Sequence, residues 1–329
     1  EMQEYYEAYL APYSKNSVGE YLTTTYEYTL TNKLEKITDS QGNIRNFHYD
    51  ELDNLDWQDM VHKSTVVSPD KINYTHDKNG NVLTEASFKG DAISYVYDNL
   101  NRVTYEKLSG VDQISYTYDQ GSYGKGQLTF ADYGGNNKKY YNYDIFGRLV
   151  NSTTTIENEN FSMDFEYNLS GDVTKIVYPN DWQVIYNYNS VGQVDEVQLD
   201  KGAGPITLVE NIEYNANGQM THFERSNGVD TTYTYDPDQN YRLTDLETTD
   251  GVDMLQDLNY SYDSVGNITQ INDDSDTDLA KVVWYDYDDL NRLASSTVNY
   301  LGHPADNYSR QYQYDEVGNM TYHSELGTM

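Results

Sequence analysis

The sequence predicts an all-β protein of about thirteen tandem two-stranded repeats, joined into a curled, spiralling antiparallel sheet as a partial hollow shell or β-solenoid. Three observations carry that expectation. A short aromatic motif recurs thirteen times, Tyr supplies 36 of the 329 residues, and no window combines 3.6-residue apolar spacing with helix caps.

The motif is aromatic-x-Tyr-Asp-x-x-Gly-x-aliphatic. Its clearest copies are YVYDNLNRV (95–103), YNYDIFGRL (141–149), YSYDSVGNI (260–268), YDYDDLNRL (285–293) and YQYDEVGNM (312–320). Six looser copies begin at residues 26, 47, 74, 165, 186 and 212, and two more, at 116–128 and 233–243, carry longer turns. The second ring position runs from 28 to 314, so the mean period is about 24 residues.

Aromatic-x-aromatic is two-residue alternation, which puts both rings on one face of a strand. The next residue opens a type I turn, and Asp suits that place because its carboxylate accepts backbone N–H groups within the turn. Asp98, Asp119, Asp144, Asp263, Asp288 and Asp315 are read in this role. Three residues on, the chain needs a positive φ to form the bulge that matches strand twist, which selects Gly or Asn. Gly80, Gly147, Gly171, Gly192, Gly218, Gly266 and Gly318, with Asn32, Asn54, Asn101 and Asn291, are assigned to that slot. An aliphatic residue then opens the return strand. A second turn, marked by Gly42-Asn43, Gly90-Asp91, Gly110, Gly134-Gly135, Asn227-Gly228, Asp250-Gly251 or Gly302, closes each repeat.

Thirteen such repeats give about 26 antiparallel strands. Twisted open sheets rarely exceed ~10 strands without curling. A winding sheet follows, and a 24-residue period is too short for the four-stranded blades of a propeller. Residues 26–329 are expected to form one repeat array, and residues 1–25 a cap or degenerate repeat in which Asn16-x-x-Gly19 resembles the turn.

Asp and Glu total 54 against 21 Lys and Arg, a formal charge of −33, which argues against nucleic-acid partners. No apolar run reaches the ~18 residues of a membrane span. The absence of Cys excludes disulfides and thiolate zinc sites.

Tyr-x-Tyr-Asp-x-x-Gly with a Gly-bounded return resembles the signature of the YD-repeat, or Rhs-repeat, family across about residues 13–323. That family includes Rhs polymorphic toxins, B and C components of insecticidal toxin complexes, wall-associated repeat proteins and teneurins. The resemblance implies a β-ribbon wound into a large shell, which encloses a C-terminal cytotoxic segment in the toxins and supports adhesion surfaces in teneurins. The toxins' self-cleaving core carries a DPxG-type sequence. Here Asp236-Pro237 is followed by Asp238, so that activity is not carried over.

The repeated Tyr-Asp pairs read either as stacking sites for sugars or as structural ladders and turns, and recurrence in every unit favours structure. Asp274, Asp276 and Asp278 have the D-x-D-x-D spacing of a weak Ca²⁺ candidate, without the following Gly and closing Glu. Six His are scattered, with no HExxH spacing, and His76 replaces a motif Tyr. No nucleophile or phosphate-binding motif is present, so neither catalysis nor a cofactor is expected.

The leading expectation is therefore a non-catalytic section of a secreted or cell-surface shell, its export signal lying elsewhere, that encapsulates or presents a C-terminal segment of its own polypeptide. The alternative is an adhesin recognising a surface glycan or protein. Its specificity would sit in the long turns Gly121–Gly126 and Pro237–Tyr241 or in insertions at 151–160 and 199–210.

Overall fold

Alternation is visible directly in the burial of each motif strand. In the computed structural model, the strand Lys138–Tyr143 keeps Tyr141 and Tyr143 half-buried while Asn142 between them is exposed. The same pattern places Val96, Glu166, Asn187, Thr234 and Asp286 in solvent between paired rings. The structure describes residues 23–63, 65–66, 69–108, 111–276, 278–315 and 318–328. Residues 1–22 of the expected N-terminal cap, with the Asn16–Gly19 turn, and Gly110 lie outside the described residues, while Thr25 already belongs to the strand Thr25–Tyr28.

The described chain forms 28 strands of one antiparallel sheet, paired mostly between sequence neighbours, with Leu55–Asp59 pairing past the short strand His62–Lys63 to Lys71–His76; the remaining regular elements are the single 3₁₀ turns Pro237–Gln239 and Pro304–Asp306. Packing divides the chain into two compact units. One takes Tyr26–Thr38 and Ile44–Thr207, the other Leu208 onward with Asp39–Asn43. Among the described residues only Ala131, Ile212, Ala280 and Val298 are buried apolar side chains. The sheet is therefore held by something other than a conventional core.

The short motif turns close on a left-handed residue, displaced in one copy from the expected slot, while Asp119 is itself left-handed (φ +66°) and opens the longer turn 119–127. In the turn after Tyr143, the Gly147 N–H donates to Asp144 O at 3.0 Å and the Asp144 N–H to Arg148 O at 2.9 Å. Gly147 has φ +77°, a conformation that strains residues with a Cβ. Asn32, Asn101 and Asn291 occupy the same slot at φ +63°, +60° and +58°. In the copy at 47–55, however, the left-handed residue is Asp53 (φ +63°) and not Asn54. The turn opens at Asp50 and the fourth residue is Asp53; Asn54 instead donates its own N–H back to the Asp50 carboxylate at 2.9 Å.

Two of the expected loops are strand. Residues 151–160 lie in the hairpin of Leu149–Ile156 and Glu159–Tyr167, closed by a two-residue turn in which Glu157 and Asn158 have φ +50° and +75°. Positive φ at both turn residues matches hairpin twist. Residues 205–210 likewise begin the ten-residue strand Pro205–Tyr214. The long turn 119–127 is genuine, and its Gly124 is fixed by space: a Cβ there would fall 1.8 Å from Gln120 O.

A second irregularity follows each motif. Asn142 pairs with Asn151 but Tyr143 with Leu149, so Val150 bulges out of register. Equivalent bulges follow Tyr97, Tyr118, Tyr167, Tyr188, Tyr235, Tyr262 and Tyr287. Thr often takes the bulged place, and the Thr104, Thr129 and Thr244 hydroxyls donate across to the carbonyls of Val96, Thr117 and Thr234. A bulge is tolerated better when a side chain takes up the backbone group it frees.

Candidate functional site

The chemistry-bearing residues sit at the motif end of each hairpin. On the side away from its own hairpin partner, each return strand leaves the ladder early. The pairing of Leu128–Asp132 with Lys138–Tyr143 stops at Phe130–Tyr140, two residues short of Leu128. There the Tyr143 hydroxyl reaches across and donates to Leu128 O at 2.7 Å. In the same unit Tyr49, Tyr97, Tyr118, Tyr167 and Tyr188 donate to the carbonyls of Leu34, Val82, Val103, Leu149 and Val173. In the other unit Tyr235, Tyr262, Tyr287 and Tyr314 donate to Met220, Leu243, Ile268 and Leu293. Each phenol replaces a missing ladder bond and ties its repeat to the one before.

The turn Asp is equally committed. Asp144 Oδ1 accepts from the Phe146 and Arg148 N–H groups, and Oδ2 from Arg148 Nε at 2.7 Å. Asp98 and Asp288 repeat this with Arg102 and Arg292, and Asp77, Asp263 and Asp315 with Asn81, Asn267 and Asn319. The residue four after the turn Asp is thus a donor matched to it. Where it is Arg, it also reaches the following repeat. Arg148 Nη1 donates to Asn168 O, Arg292 Nη1 to Asp315 O, and Arg102 grips both oxygens of Asp119 at 3.1 and 2.7 Å. The same guanidinium carbons lie over the Tyr118, Tyr167 and Tyr314 rings at 4.3–4.7 Å.

Electrostatics follow this division of labour. Hydrogen bonds from Arg102 bring the Asp119 carboxyl down to about 2. Backbone and side-chain donors in their own turns lower Asp50, Asp77 and Asp98. Burial raises the ladder phenols, with Tyr116 and Tyr141 pushed up to about 12. Burial is the first cause for each of these phenols, with Glu106 adding to it at Tyr116 and Tyr133 at Tyr141.

The predicted Ca²⁺ residues are drawn into local structure. Asp276 Oδ1 accepts from the Asp278 N–H at 2.8 Å, and the Asp274 N–H donates to Asp257 O. Asp274, Asp276 and Asp278 are not brought together as a set of three converging ligands among the described residues.

One open groove stands out from the repeat. Phe161, Tyr178, Trp182 and Leu199 line about 620 Å³ with Asn160 and Asn180 at its rim. Phe161 and Trp182 are 45% and 41% exposed, leaving aromatic surface available to a partner. Lys201 Nζ lies 4.3 Å from the Trp182 ring centroid. No motif marks this groove in the sequence, because its wall combines the turn at 178–182 with residues of the strands Glu159–Tyr167, Gln183–Tyr188 and Val194–Asp200.

A family model described as the teneurin YD-shell matches residues 70–205. Toxin subunit YenC2 of Yersinia entomophaga is 32% identical over 167 residues, covering 40% of this chain and 17% of that protein. Toxin subunit YenC1 of the same organism is 33% identical over 150 residues, covering 36% and 15%. The chain thus spans less than a fifth of the length of these relatives. The crystal structure of TcdB2-TccC3 superposes with a TM-score of 0.76 at 19% identity over 93% of this chain and 18% of that one. The Photorhabdus luminescens Tc holotoxin pore gives 0.75 at 20%, over 94% and 18%. This likeness fits the curled sheet expected from the strand count. The thirteen-fold motif, the sheet stitched at ten motif Tyr, and these relatives support a likeness to the YD/Rhs-repeat family.

Proposed function

We propose that the chain is a non-catalytic section of a secreted YD-repeat shell, in a toxin-complex protein, that encloses or presents another segment of the same polypeptide. The observation that carries this reading is the stitching itself. Ten motif phenols are spent on ties to neighbouring repeats, and the turn carboxylates on their own turns. The machinery of the repeat is thereby consumed in building a wall. The match to toxin subunits and toxin-complex structures supports the same role, and the acidic surface suits an exported particle that must avoid self-association.

Limited proteolysis of the whole gene product tests this. A segment outside the array should survive protease in the native protein and be digested once the array is denatured. Free cleavage of every such segment, or a gene product with none, would overturn encapsulation.

A second reading, an adhesin for a surface glycan, is favoured by the groove at Phe161, Tyr178 and Trp182, since aromatic faces stack on sugar rings and the Asn160 and Asn180 amides can bond hydroxyls. Saturable quenching of tryptophan fluorescence by a soluble glycan, lost in Trp182→Ala, would support it. The shell reading expects no such binding.

A further inference from the structure

Away from the motif turns, the strands Met220–Arg225 and Asp230–Asp236 pair antiparallel with Glu224 opposite Asp230 and His222 opposite Thr232. His222 and Glu224 are two residues apart, so they share a face, and a directly opposed partner shares that face too. All three are half-buried, and one ligating atom from each falls within 4.8 Å of the others. Glu213, opposite His222 on the preceding strand, adds a further carboxylate to this face.

The imidazole carries a second, independent sign. His222 Nδ1 lies 3.0 Å from Asn211 O, and Nε2 lies 2.9 Å from Asp230 Oδ2. Both oxygens can only accept. The ring in its neutral form has one N–H, so satisfying both contacts takes either a second proton or a cation at Nε2. The carbonyl side is built for the purpose. Asn211 has φ +54° within the register break between Glu210 and Glu213, and this irregular backbone presents its carbonyl to the ring. A backbone carbonyl that accepts the Nδ1 proton fixes the tautomer and frees the Nε2 lone pair, which is the usual outer support of a metal-bound histidine.

We propose that His222, Glu224 and Asp230 form a binding site for a divalent transition metal of the zinc class. One imidazole and two carboxylates leave a fourth position for water, and this donor set suits Zn²⁺ better than Ca²⁺, which takes six to eight oxygens. Zinc bonds of ~2.0–2.2 Å would put tetrahedral ligand atoms roughly 3.3–3.5 Å apart. The observed 2.9 Å between Nε2 and Oδ2 therefore needs to open by a few tenths of an ångström, while Glu224 closes through side-chain rotation. The bound ion would link two strands directly and hold a third through Asn211 O.

The test uses metal-stripped protein titrated calorimetrically with ZnCl₂, in parallel with MgCl₂ and CaCl₂. The expected result is one Zn²⁺ per chain, a rise of several degrees in the melting temperature, and a shift of the His222 Nε2 signal in long-range ¹H–¹⁵N spectra. His222→Gln, which can still donate to Asn211 O, should abolish that stoichiometric event, and Glu224→Gln should weaken it at least tenfold. Equal Zn²⁺ binding by the parent and His222→Gln would assign the effect to the general acidic surface and overturn the site. So would Mg²⁺ or Ca²⁺ matching Zn²⁺, or an Nε2 signal unmoved by saturating Zn²⁺. If His222→Gln fails to fold, as judged by circular dichroism, the Glu224→Gln titration and the Nε2 signal of the parent decide the question alone.

Discussion

Tyr143→Phe isolates the tie between repeats. The change removes only the hydroxyl, keeps the half-buried ring, and leaves Leu128 O without its donor. A typical intramolecular hydrogen bond contributes about 0.5–1.5 kcal/mol net, and a fully buried orphaned carbonyl costs about 1–3 kcal/mol. The Tyr143 ring is half-buried, so water can partly replace the phenol, and the expected cost is about 1 kcal/mol. Tyr140 is the control: it lies on the other face, 42% exposed, and its hydroxyl makes no tie among the described residues. Tyr140→Phe should change stability by less than about 0.5 kcal/mol. The reverse experiment is already written in the chain. His76 occupies the Tyr place, the pairing of Leu55–Asp59 with Lys71–His76 stops at Trp57–Asn73, and Leu55 lies two residues beyond. His76→Tyr should supply the missing tie and stabilise by about 1 kcal/mol. Urea unfolding followed by circular dichroism, with amide exchange of residues 128–132, measures both. Equal effects of Tyr143→Phe and Tyr140→Phe would show that the hydroxyl ties contribute nothing.

Three further outcomes follow from the same geometry. The phenols of Tyr116 and Tyr141 are raised to about 12, so the folded state holds protons that the unfolded state releases near 10; stability should be full below pH 10 and fall as pH climbs toward 12. Absorbance at 295 nm should show phenolate appearing together with loss of β signal, and independent ionisation near 10 in a still-folded sheet would refute this. At the acid end Asp119 is lowered to about 2, so its contribution is present above pH 4 and fades between 4 and 2. Asp119→Asn should be less stable at pH 7 and lose less across that window, and an unchanged acid profile would break the assignment to Arg102. Gly147→Val forces a β-branched residue into φ +77° and should cost on the order of 1–2 kcal/mol by thermal melting, whereas a neutral result would mean the turn relaxes.

The repeat was legible because its signal is carried by residue types that physics restricts. Positive φ selects Gly147 or Asn101, and alternation exposes Asn142 between two rings. The register error at Asn54 arose because Asp53 also tolerates the left-handed region, so residue type alone did not mark the slot. The donor four residues after each turn Asp was missed for the opposite reason. Arg148 and Asn267 look unrelated, yet each donates to the carboxylate of its turn Asp. The His222 face was invisible because its ligands are a strand-spaced pair plus a residue across a turn, and a search for helical HExxH spacing cannot find that pattern. The extension of the hairpin at 149–167 leaves no mark in the motif, because a short motif predicts its own turn and says nothing about how far the strands run beyond it.

The composition itself follows from the splayed ladder. A sheet with four buried apolar side chains among the described residues cannot depend on a sealed interior. Its strands must instead be locked to their neighbours one pair at a time, as in other repeat arrays whose stability is a sum of nearest-neighbour terms. At the motif end each ladder stops two residues short of the aliphatic residue, leaving a backbone carbonyl to be satisfied. Phe could fill the space but not donate, and Ser or Thr could donate but not span the gap. Tyr does both, with few rotatable bonds to order. A one-residue slip would turn the phenol to the opposite face and orphan the carbonyl, so the tie also fixes register. Ten of the 36 Tyr are thus fixed by the need for each repeat of the sheet to hold the next without a core.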